Sequence, residues 1–549
     1  MHAVSYGARV TGAGSGERGN DGGDSVSGDR DRREVDRYLS ERHVSLLSRV
    51  SFVIKLLIGL RKQDFQAAMH FAKLEWGADP LPMRCLKFVG WGLYQCFINL
   101  PRAIYCLDTS GRVSRTPMWL EDENPWSDHP WGVDERARCP ESADVVVIGA
   151  GFTGSAAAYH WSRRAGSDRR LVVLEMDDPA SGASGRNEGL VVMGRHFKMV
   201  RDTVGRWLLE VRSDLDKSSR KKLASRFAKV YCEAAYQNAD LIEQAISTHE
   251  FRCDYKRAGW VQARTEEEQK SLRLSVRLAE QSGCDDWTQI EAGEARKLSG
   301  MRLNHPAGFS KQAASWHPAK WVWCLLEEAL KAKHVELYTR TKVERVVSTA
   351  GGYVVETTRG AISCRHVFYA TESYTPMLDP SFHDAIVPMQ EQAASGEGGP
   401  VSMMPSIGIS GTWYFTGRYG NEVLWGSGGS RVPDHQAGRN KPSRFLTRFA
   451  AAEMRKHFGP YELDLDNEWS GTVGYTPDEY PIVGLIDGPG VGSGRWIVAG
   501  MCGSGSGVSF NGARCIVNRI LGLDDEPDDY PESYFAPSRL LDPENHVWP

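Results

Sequence analysis

Residues 143–165 read ADVVVIGAGFTGSAAAYHWSRRA and carry the strongest structural signal in the chain. The apolar run 145–148 predicts a short buried strand that leads into Gly149, Gly151 and Gly154, and the alanines that follow predict a helix. In this order the first glycine makes a tight turn, the second lets a pyrophosphate approach the backbone, and the third lets the helix pack against the strand. The helix N-terminus then presents unpaired N–H groups and a dipole that favours an anion.

A second apolar strand, Leu171–Leu174, ends in Glu175, about 20 residues after the last glycine. An acidic residue at this position accepts hydrogen bonds from ribose hydroxyls. The strand, turn, helix, second strand and acid together predict a dinucleotide site. The alternative is a glycine turn that joins a strand to a helix for structural reasons alone.

Two further glycine-rich segments favour FAD over a nicotinamide dinucleotide. The loop Ser181–Leu190 (SGASGRNEGL) carries Ser184, Arg186 and Asn187 among small residues, which suits an extended cofactor. Far along the chain, the strand 496–499 leads into a glycine-rich turn and another helix. A helix N-terminus against a flavin stabilises negative charge at the N1–C2 carbonyl edge of the reduced ring. Each segment alone is also compatible with a flexible loop.

Composition places the chain among ordinary globular proteins. Its 549 residues are 41% hydrophobic and 25% charged, which supports a substantial core. The net charge of -4 gives no electrostatic basis for a nucleic-acid partner. The 11 cysteines follow neither a CxxC nor a metal-ligand spacing, so we expect reduced thiols, no metal site and a cytoplasmic location. The first residues lack an apolar core, which argues against a secretory signal.

The chain divides into four parts by composition. A polar, glycine-rich start cannot bury enough surface to order itself, and the C-terminal end is acidic and rich in proline. The predicted parts are a disordered tail (1–34), a helical extension with a connector (35–140), the main body (141–523) and a C-terminal tail (524–549).

Within the extension, residues 44–60 (VSLLSRVSFVIKLLIGL) predict a helix with one polar and one apolar half. This helix either docks on the main body or contacts a membrane surface or a partner protein. A second apolar run, Leu86–Leu107, is interrupted by polar residues and proline, which argues against a membrane span.

The motifs resemble those of the glycine oxidase/D-amino-acid oxidase family of FAD-dependent oxidoreductases, in its gamma-glutamylputrescine oxidase-like branch. The resemblance covers about Pro117–Leu523 and rests on the order of ADVVVIGAGFTGSAAA, LEMDDPASGASGRNEG, WHPAKWVWCLLEEAL, TKVERV, HVFYATESYT, WSGTVGYTPDEYPIVG and AGMCGSGSG. It implies an α/β fold with a helical N-terminal extension. In that fold a Rossmann-like FAD-binding domain (141–200, 334–380, 480–523) is interleaved with a mixed-sheet α+β substrate domain (201–333, 381–479).

The resemblance also implies which residues hold FAD. The first glycine turn and Glu175 bind the ADP half, the backbone of Val343 contacts the adenine, and Gly503–Val508 reach the pyrimidine edge of the flavin. The expected FAD-binding residues are Gly149, Ala150, Gly151, Phe152, Thr153, Gly154, Glu175, Met176, Ser184, Arg186, Asn187, Gly189, Leu190, Val343, Ala370, Thr371, Gly503, Ser504, Gly505, Ser506, Gly507 and Val508.

Two positions depart from the family pattern. Ser504 stands where many relatives carry histidine, and Val473 stands where relatives that bind an α-carboxylate often carry arginine. The second departure makes simple α-amino acids doubtful substrates. Sarcosine oxidases of this family tether their flavin through a cysteine near the same segment; Val473 or its neighbours take that place here, so we expect non-covalent FAD.

The sequence does not identify catalytic residues. Arg418 is a candidate for binding an anionic group, Tyr419 and Trp413 for an aromatic wall, and His196 for contact with the flavin. Each also has a structural explanation, as a solvated hairpin charge, a core aromatic or a hydrogen-bonded histidine. His317 precedes a helix, and we expect its role to be structural.

We expect an enzyme that oxidises a C–N bond of an amine or amino-acid-like substrate by hydride transfer to FAD. The acceptor is oxygen or another electron carrier. One alternative is a flavin dehydrogenase or hydroxylase of another substrate class on the same fold. The other is a flavoprotein without enzymatic activity that docks on a membrane through residues 44–60.

The glycine turn gives the first test. Gly151→Glu places a side chain and a negative charge where the pyrophosphate must lie, so the purified variant is expected to be nearly colourless. FAD content is measured from the visible absorbance of the purified protein. A variant with full yellow FAD loading would contradict the role of this turn.

Overall fold

The computed structural model describes residues 46–59, 68–69, 76, 79–100, 107–108, 112–122, 124–127, 138–191, 196–285, 287–432, 434–487, 494–523 and 530–549. The predicted disordered tail, residues 1–34, lies outside these ranges. In chain order the α-helices of the described residues are α1 (Leu46–Gly59), α2 (Leu81–Tyr94), α3 (Phe152–Arg164), α4 (Phe197–Val211), α5 (Lys217–His249), α6 (Glu266–Gln281), α7 (Ala292–Ser299), α8 (Pro318–Ala329), α9 (Thr375–Leu378), α10 (Arg444–Phe458), α11 (Ser509–Leu521), α12 (Glu532–Phe535) and α13 (Ser538–Leu541).

The strands of the described residues form two large sheets and three small ones. They are β1 (Leu107–Asp108), β2 (Val145–Ile148), β3 (Leu171–Leu174), β4 (Leu190–Val191), β5 (Trp260–Gln262), β6 (Thr288–Ile290), β7 (Ala307–Ser310), β8 (Ala314–Ser315), β9 (Val335–Tyr338), β10 (Val343–Thr349), β11 (Gly352–Thr357), β12 (Gly360–Cys364), β13 (His366–Tyr369), β14 (Val387–Glu397), β15 (Gly408–Ser410), β16 (Phe415–Tyr419), β17 (Glu422–Arg431), β18 (Leu463–Asp464), β19 (Asn467–Tyr475), β20 (Ile482–Leu485) and β21 (Arg495–Ala499).

The first large sheet has six strands in the order β20-β21-β13-β2-β3-β9. All neighbouring pairs are parallel except β20 with β21. Strand β2 is buried on both faces: Val145 and Val147 pack in the core with α3, α8 and α11, and Val146 and Ile148 pack with the β10–β12 sheet. This parallel arrangement is the predicted Rossmann-like sheet, and its strands all lie in the segments predicted for FAD binding.

The second large sheet has eight strands in the order β19-β14-β17-β16-β15-β5-β7-β6. Its pairings are antiparallel except β15 with β5. Strand β14 lies between β17 and β19, and α10 packs against this part of the sheet. The mixed sheet and its helices agree with the predicted α+β part of an α/β fold.

Several predicted elements have the expected bounds. The sequence predicts a long helix over Lys217–His249, and α5 spans these residues. The Asp216 side chain accepts hydrogen bonds from Ser218 N at 2.6 Å and Ser219 N at 2.9 Å, which caps the start of the helix. The sequence also predicts a strand over Ala385–Val387, which is wrong for its first two residues, because β14 begins at Val387. The helix predicted at 44–60 is present as α1. No helix in the described ranges is both long and apolar enough to cross a membrane.

Residues 112–122, here called the strap, lie ahead of the first glycine turn and pack on the body. Arg115 pairs with Glu468 at 2.7 Å in β19. The buried indole of Trp119 donates to the carbonyl oxygen of Asn187 at 2.7 Å, in the loop predicted to contact FAD. The connector therefore contributes to the support of that loop, a role that composition did not predict.

The C-terminal tail also packs into the body. Arg539 in α13 is fully buried, and its Nε donates to Oδ2 of Asp478 at 2.6 Å, which is also fully buried. Arg539 donates further to the carbonyl oxygens of Tyr480 and Pro481 at 3.0 and 3.1 Å. These bonds tie the tail to the turn between β19 and β20.

We predict that Arg539→Ala lowers the free energy of unfolding by about 3–5 kcal/mol, because it leaves the Asp478 carboxylate buried without its cation. Arg345→Ala is the control, since Arg345 pairs with Glu356 on the surface and such pairs contribute less than about 1 kcal/mol. Urea denaturation of both variants measures the difference. Equal losses would contradict a structural role for the tail.

Candidate active site

A cavity of about 840 Å³ opens at the carboxyl ends of β2, β3 and β13, where parallel sheets of this kind bind ligands. This volume lies near the upper end of the usual range for ligand pockets. Residues of both large sheets contribute to its walls. The lining segments are the β2–α3 turn, the end of β3, the Ser181–Leu190 loop, and residues within 341–344, 370–378, 434–440, 472–473 and 501–509.

The glycines of the β2–α3 turn meet close contacts. Gly149 has φ +105°, and a Cβ on Gly154 would lie 1.8 Å from the Gly149 carbonyl oxygen, so no side chain fits there. Gly151 begins α3 without a side-chain cap, and a Cβ there would meet the Ser184 hydroxyl at 2.6 Å. The N–H of Phe152 donates to that hydroxyl at 2.8 Å. The first turn of α3 therefore faces the cavity with room for an anionic group.

Glu175 closes the same end of the cavity. Its carboxylate accepts hydrogen bonds from Ala150 N at 2.8 Å and Asp177 N at 2.9 Å. Burial raises the pKa of Glu175 to about 7, which outweighs the effect of these two bonds. An ionised carboxylate has about four acceptor sites, so lone pairs remain for a ligand hydroxyl.

Asn187 shapes the Ser181–Leu190 loop from within. Its Nδ2 donates to the Ser184 carbonyl oxygen at 2.6 Å, and its Oδ1 accepts from Gly189 N at 2.8 Å. Gly189 has φ +67°, and a Cβ there would lie 2.6 Å from the Trp119 ring. These contacts give the loop one defined path along the cavity wall.

Arg186 lines the cavity but uses its guanidinium on the main chain. Nε donates to the Ser181 carbonyl oxygen at 2.8 Å and Nη1 to that of Ser470 at 3.3 Å. Burial lowers the pKa of Arg186. The guanidinium therefore joins the loop to β19.

The structure brings most of the predicted FAD-binding residues to this one cavity. Those that line it are Gly149, Gly151, Phe152, Thr153, Glu175, Met176, Ser184, Arg186, Asn187, Leu190, Val343, Ala370, Thr371, Gly503, Gly505 and Ser506. The predicted residues that do not line it are Ala150, Gly154, Gly189, Ser504, Gly507 and Val508.

Glu372 is a cavity residue that the sequence analysis missed. It follows β13 with φ +47°, and its two carboxylate oxygens accept from Met501 N at 2.7 Å and Gly474 N at 2.6 Å. Burial raises the pKa of Glu372 to about 7. Its carboxylate joins three distant segments, which the quoted motif HVFYATESYT does not reveal.

Arg418 is a correction to the sequence analysis, because its side chain does not line the cavity. Its Nη2 donates to the carbonyl oxygens of Gly398 and Pro400, at 3.0 and 2.9 Å. These bonds hold the guanidinium against its own hairpin region, so the expected role in anion binding does not fit its position.

The two candidate aromatic walls also lie outside the cavity lining. The Tyr419 hydroxyl donates to the carbonyl oxygens of Glu188 at 2.7 Å and Gly189 at 3.1 Å, so this residue braces the loop from behind. Trp413 packs against the small cluster of Phe445 and Phe449. Tyr419 is the last residue of β16, and Trp413 lies in the turn between β15 and β16.

His196 does not line the cavity either. Its Nε2 contacts Gln262 Oε1 at 3.1 Å and also the Arg264 guanidinium, and burial holds the pKa of His196 well below its usual range. His317 caps α8 by accepting from Lys320 N at 3.1 Å, as its expected structural role requires. Neither histidine is placed to contact a ligand of this cavity.

These features match what an FAD molecule requires of its site. A glycine cradle that a Cβ would fill faces a helix N-terminus, and a buried carboxylate lies at the end of the second strand. A third segment, 501–509, also lines the cavity and leads into α11.

Comparison with curated proteins gives distant relatives that match most of the chain. The probable oxidoreductase OrdL of Haemophilus influenzae is 24% identical over 401 residues, which cover 70% of this chain and 84% of that protein. Gamma-glutamylputrescine oxidoreductase of Escherichia coli is 22% identical over 366 residues, which cover 63% of this chain and 77% of that protein.

Solved structures share the fold. L-proline dehydrogenase from P. horikoshii superposes with a TM-score of 0.59 at 16% identity, covering 74% of this chain and 100% of that one. Glycine oxidase from Bacillus cereus gives 0.56 at 15% identity, covering 70% and 96%. At these identities the comparisons establish architecture alone, and they confirm the predicted fold class.

The sequence family described as FAD dependent oxidoreductase matches residues 144–519, which begin at β2 and end within α11. The match includes the glycine turn, Glu175, the Ser181–Leu190 loop and the glycine-rich segment that line the cavity. The family expected from the motifs is therefore confirmed: this chain belongs to the DAO family of FAD-dependent oxidoreductases.

Proposed function

We propose that this chain oxidises a C–N bond of an amine and that the electrons pass as a hydride to FAD. The observation that carries the proposal is the single cavity in which the family's glycine turn, acidic strand end and glycine-rich segment converge. Relatives named for a gamma-glutamylputrescine substrate and for glycine support the choice of a C–N bond. When bound, FAD supplies the hydride acceptor of the reaction.

The residues assigned to FAD follow the cavity wall. We propose that Gly151 and the first turn of α3 bind the pyrophosphate, and that Glu175 accepts from the ribose hydroxyls. We propose that the backbone of Val343, which lines the cavity, contacts the adenine. Gly503–Val508 and the start of α11 are proposed to meet the pyrimidine edge, where N–H donors stabilise negative charge.

The substrate end of the cavity does not fit an α-carboxylate. Val473 stands on its wall where relatives that bind an α-carboxylate often carry arginine, and the Arg186 guanidinium joins the Ser181–Leu190 loop to β19 through two main-chain carbonyls. Burying a carboxylate without such a partner costs several kcal/mol. These two positions favour amines without a carboxylate next to the reacting carbon.

The acceptor is oxygen or another electron carrier. The alternative is a different substrate class on the same fold, and flavin reduction by a panel of amines distinguishes it from amine oxidation. We propose a cytoplasmic location, which the unpatterned cysteines support. The helix α1 is proposed as a contact surface for a partner or membrane, since Leu47 and Ile58 are 81% and 80% exposed.

We predict that acid precipitation of the purified protein releases FAD into the supernatant. The segment 471–473 holds no cysteine, and His196 does not line the cavity, so neither expected linkage position is supplied. Visible absorbance of the pellet and the supernatant measures the partition. A pellet that keeps the flavin would contradict non-covalent binding.

We predict that putrescine derivatives and N-methyl amines reduce the flavin at least about tenfold faster than glycine or D-alanine, because α-carboxylates lack a clamp. Anaerobic stopped-flow absorbance measures the rates. Arg418→Ala is the control variant and is expected to leave them unchanged, since its guanidinium is held at Gly398 and Pro400.

This preference would be overturned if small α-amino acids reduced the flavin fastest and Arg418→Ala abolished that reduction. The carboxylate clamp would then be Arg418, in the hairpin of β16 and β17. If no amine reduces the flavin, C–N oxidation is abandoned and the family assignment alone stands.

A further inference from the structure

Glu188 is a charged residue on the cavity wall with no assigned partner. It follows Asn187 in the Ser181–Leu190 loop and lines the cavity. Its carbonyl oxygen is held by the Tyr419 hydroxyl at 2.7 Å, which fixes the backbone from behind. Among the described residues, no lysine, arginine or histidine pairs with its carboxylate, which accepts only from its own N–H.

The negative charge of a second carboxylate, that of Glu391, acts on Glu188. Glu391 in β14 is 8% exposed, and the Tyr475 hydroxyl donates to its Oε1 at 2.5 Å. No other donor to Glu391 is found in the described part of the chain, so Oε2 has a free lone pair. Burial first, and the negative charge of Glu391 second, raise the pKa of Glu188.

Two carboxylates that are close together in a poorly solvated site repel each other, and a proton, a metal ion or an organic cation relieves the repulsion. The described residues contain no group of three or more side chains suited to a metal. A second acceptor on the wall, the buried Oδ1 of Asn440, also lacks a donor. Such a wall matches a ligand that brings both positive charge and N–H donors.

We propose that Glu188, backed by Glu391, receives the ammonium group of a cationic substrate. This inference rests on the proposed function and names its substrate class: amines with a net positive charge and no α-carboxylate. Val473 points the same way, because its apolar side chain on the cavity wall offers no site for an anion. Glu188 thereby acts as the residue that selects substrate charge.

Three small molecules of nearly the same shape test the inference on the FAD-loaded protein. tert-Butylammonium is a cation without hydrogen on the carbon that bears nitrogen, so it cannot donate a hydride. tert-Butanol is its neutral counterpart and pivalate its anionic one. Perturbation of the flavin visible band during titration gives a Kd for each, independently of turnover. We expect tert-butylammonium to bind wild type the most tightly.

Glu188→Gln keeps the shape of the side chain and removes its charge. We expect it to raise the Kd of tert-butylammonium at least about tenfold, the loss of one charge-assisted contact, with the Kd of tert-butanol unchanged. Glu188→Asp keeps the charge and should retain part of the affinity. Glu397→Gln is the matched control, since this exposed residue at the end of β14 lies outside the cavity.

Glu391→Gln tests the same subsite by removing the second negative charge. We expect it to weaken tert-butylammonium binding even if Glu188→Gln loses its FAD. The inference is overturned if pivalate binds wild type as tightly as tert-butylammonium, or if neither variant changes the Kd of the cation. Failure of the proposed function is distinct: no amine would reduce the flavin, although tert-butylammonium would still bind in a manner that depends on Glu188.

Discussion

The position of the cavity depends on the contact between Gly154 and the carbonyl oxygen of Gly149. The two residues lie so close that a Cβ on Gly154 would sit 1.8 Å from that oxygen. This contact lets α3 start just after the turn that follows β2, and residues of its first turn line the cavity. Ser184 and Glu175 then hydrogen-bond to the backbone of the same turn, so two further wall segments take their positions from it.

The two large sheets share this cavity through a few specific bonds. Glu372 leaves β13 of the parallel sheet and accepts N–H groups from Gly474 in β19 and from Met501 before the glycine-rich turn. Arg186 joins the opposite wall to β19 through the Ser470 carbonyl. Both charged groups are only partly exposed and hydrogen-bond to main-chain atoms. Their role is therefore to connect the segments of the cavity wall and not to bind the substrate.

Segments outside the family match complete the structure. The strap donates an indole N–H from Trp119 to the Ser181–Leu190 loop, and α13 buries Arg539 against Asp478. Because a buried charge without its partner is costly, the tail and the body stabilise each other. The cavity wall also carries Glu188, whose carboxylate pairs with no lysine, arginine or histidine of the described residues.

Local sequence was sufficient for the elements and the family. The strand Val145–Ile148, the helix Lys217–His249 and the glycine turn depend on periodicity, caps and spacing within a few residues, so they were predicted with their bounds. The direction in which a single side chain points could not be predicted from local sequence. Arg418, Tyr419 and His196 were assigned to the pocket by residue type, yet strand register and local carbonyls turn them elsewhere.

Glu188 and Glu372 stood in quoted motifs without a role, because the groups that act on them come from β14, β19 and the glycine-rich segment. Spacing within a motif carries no information about such partners, since they meet only when distant strands pack. The glycine turn could therefore be predicted from neighbouring residues in the sequence. The surroundings of Glu188 and Glu372, in contrast, follow from the packing of two sheets.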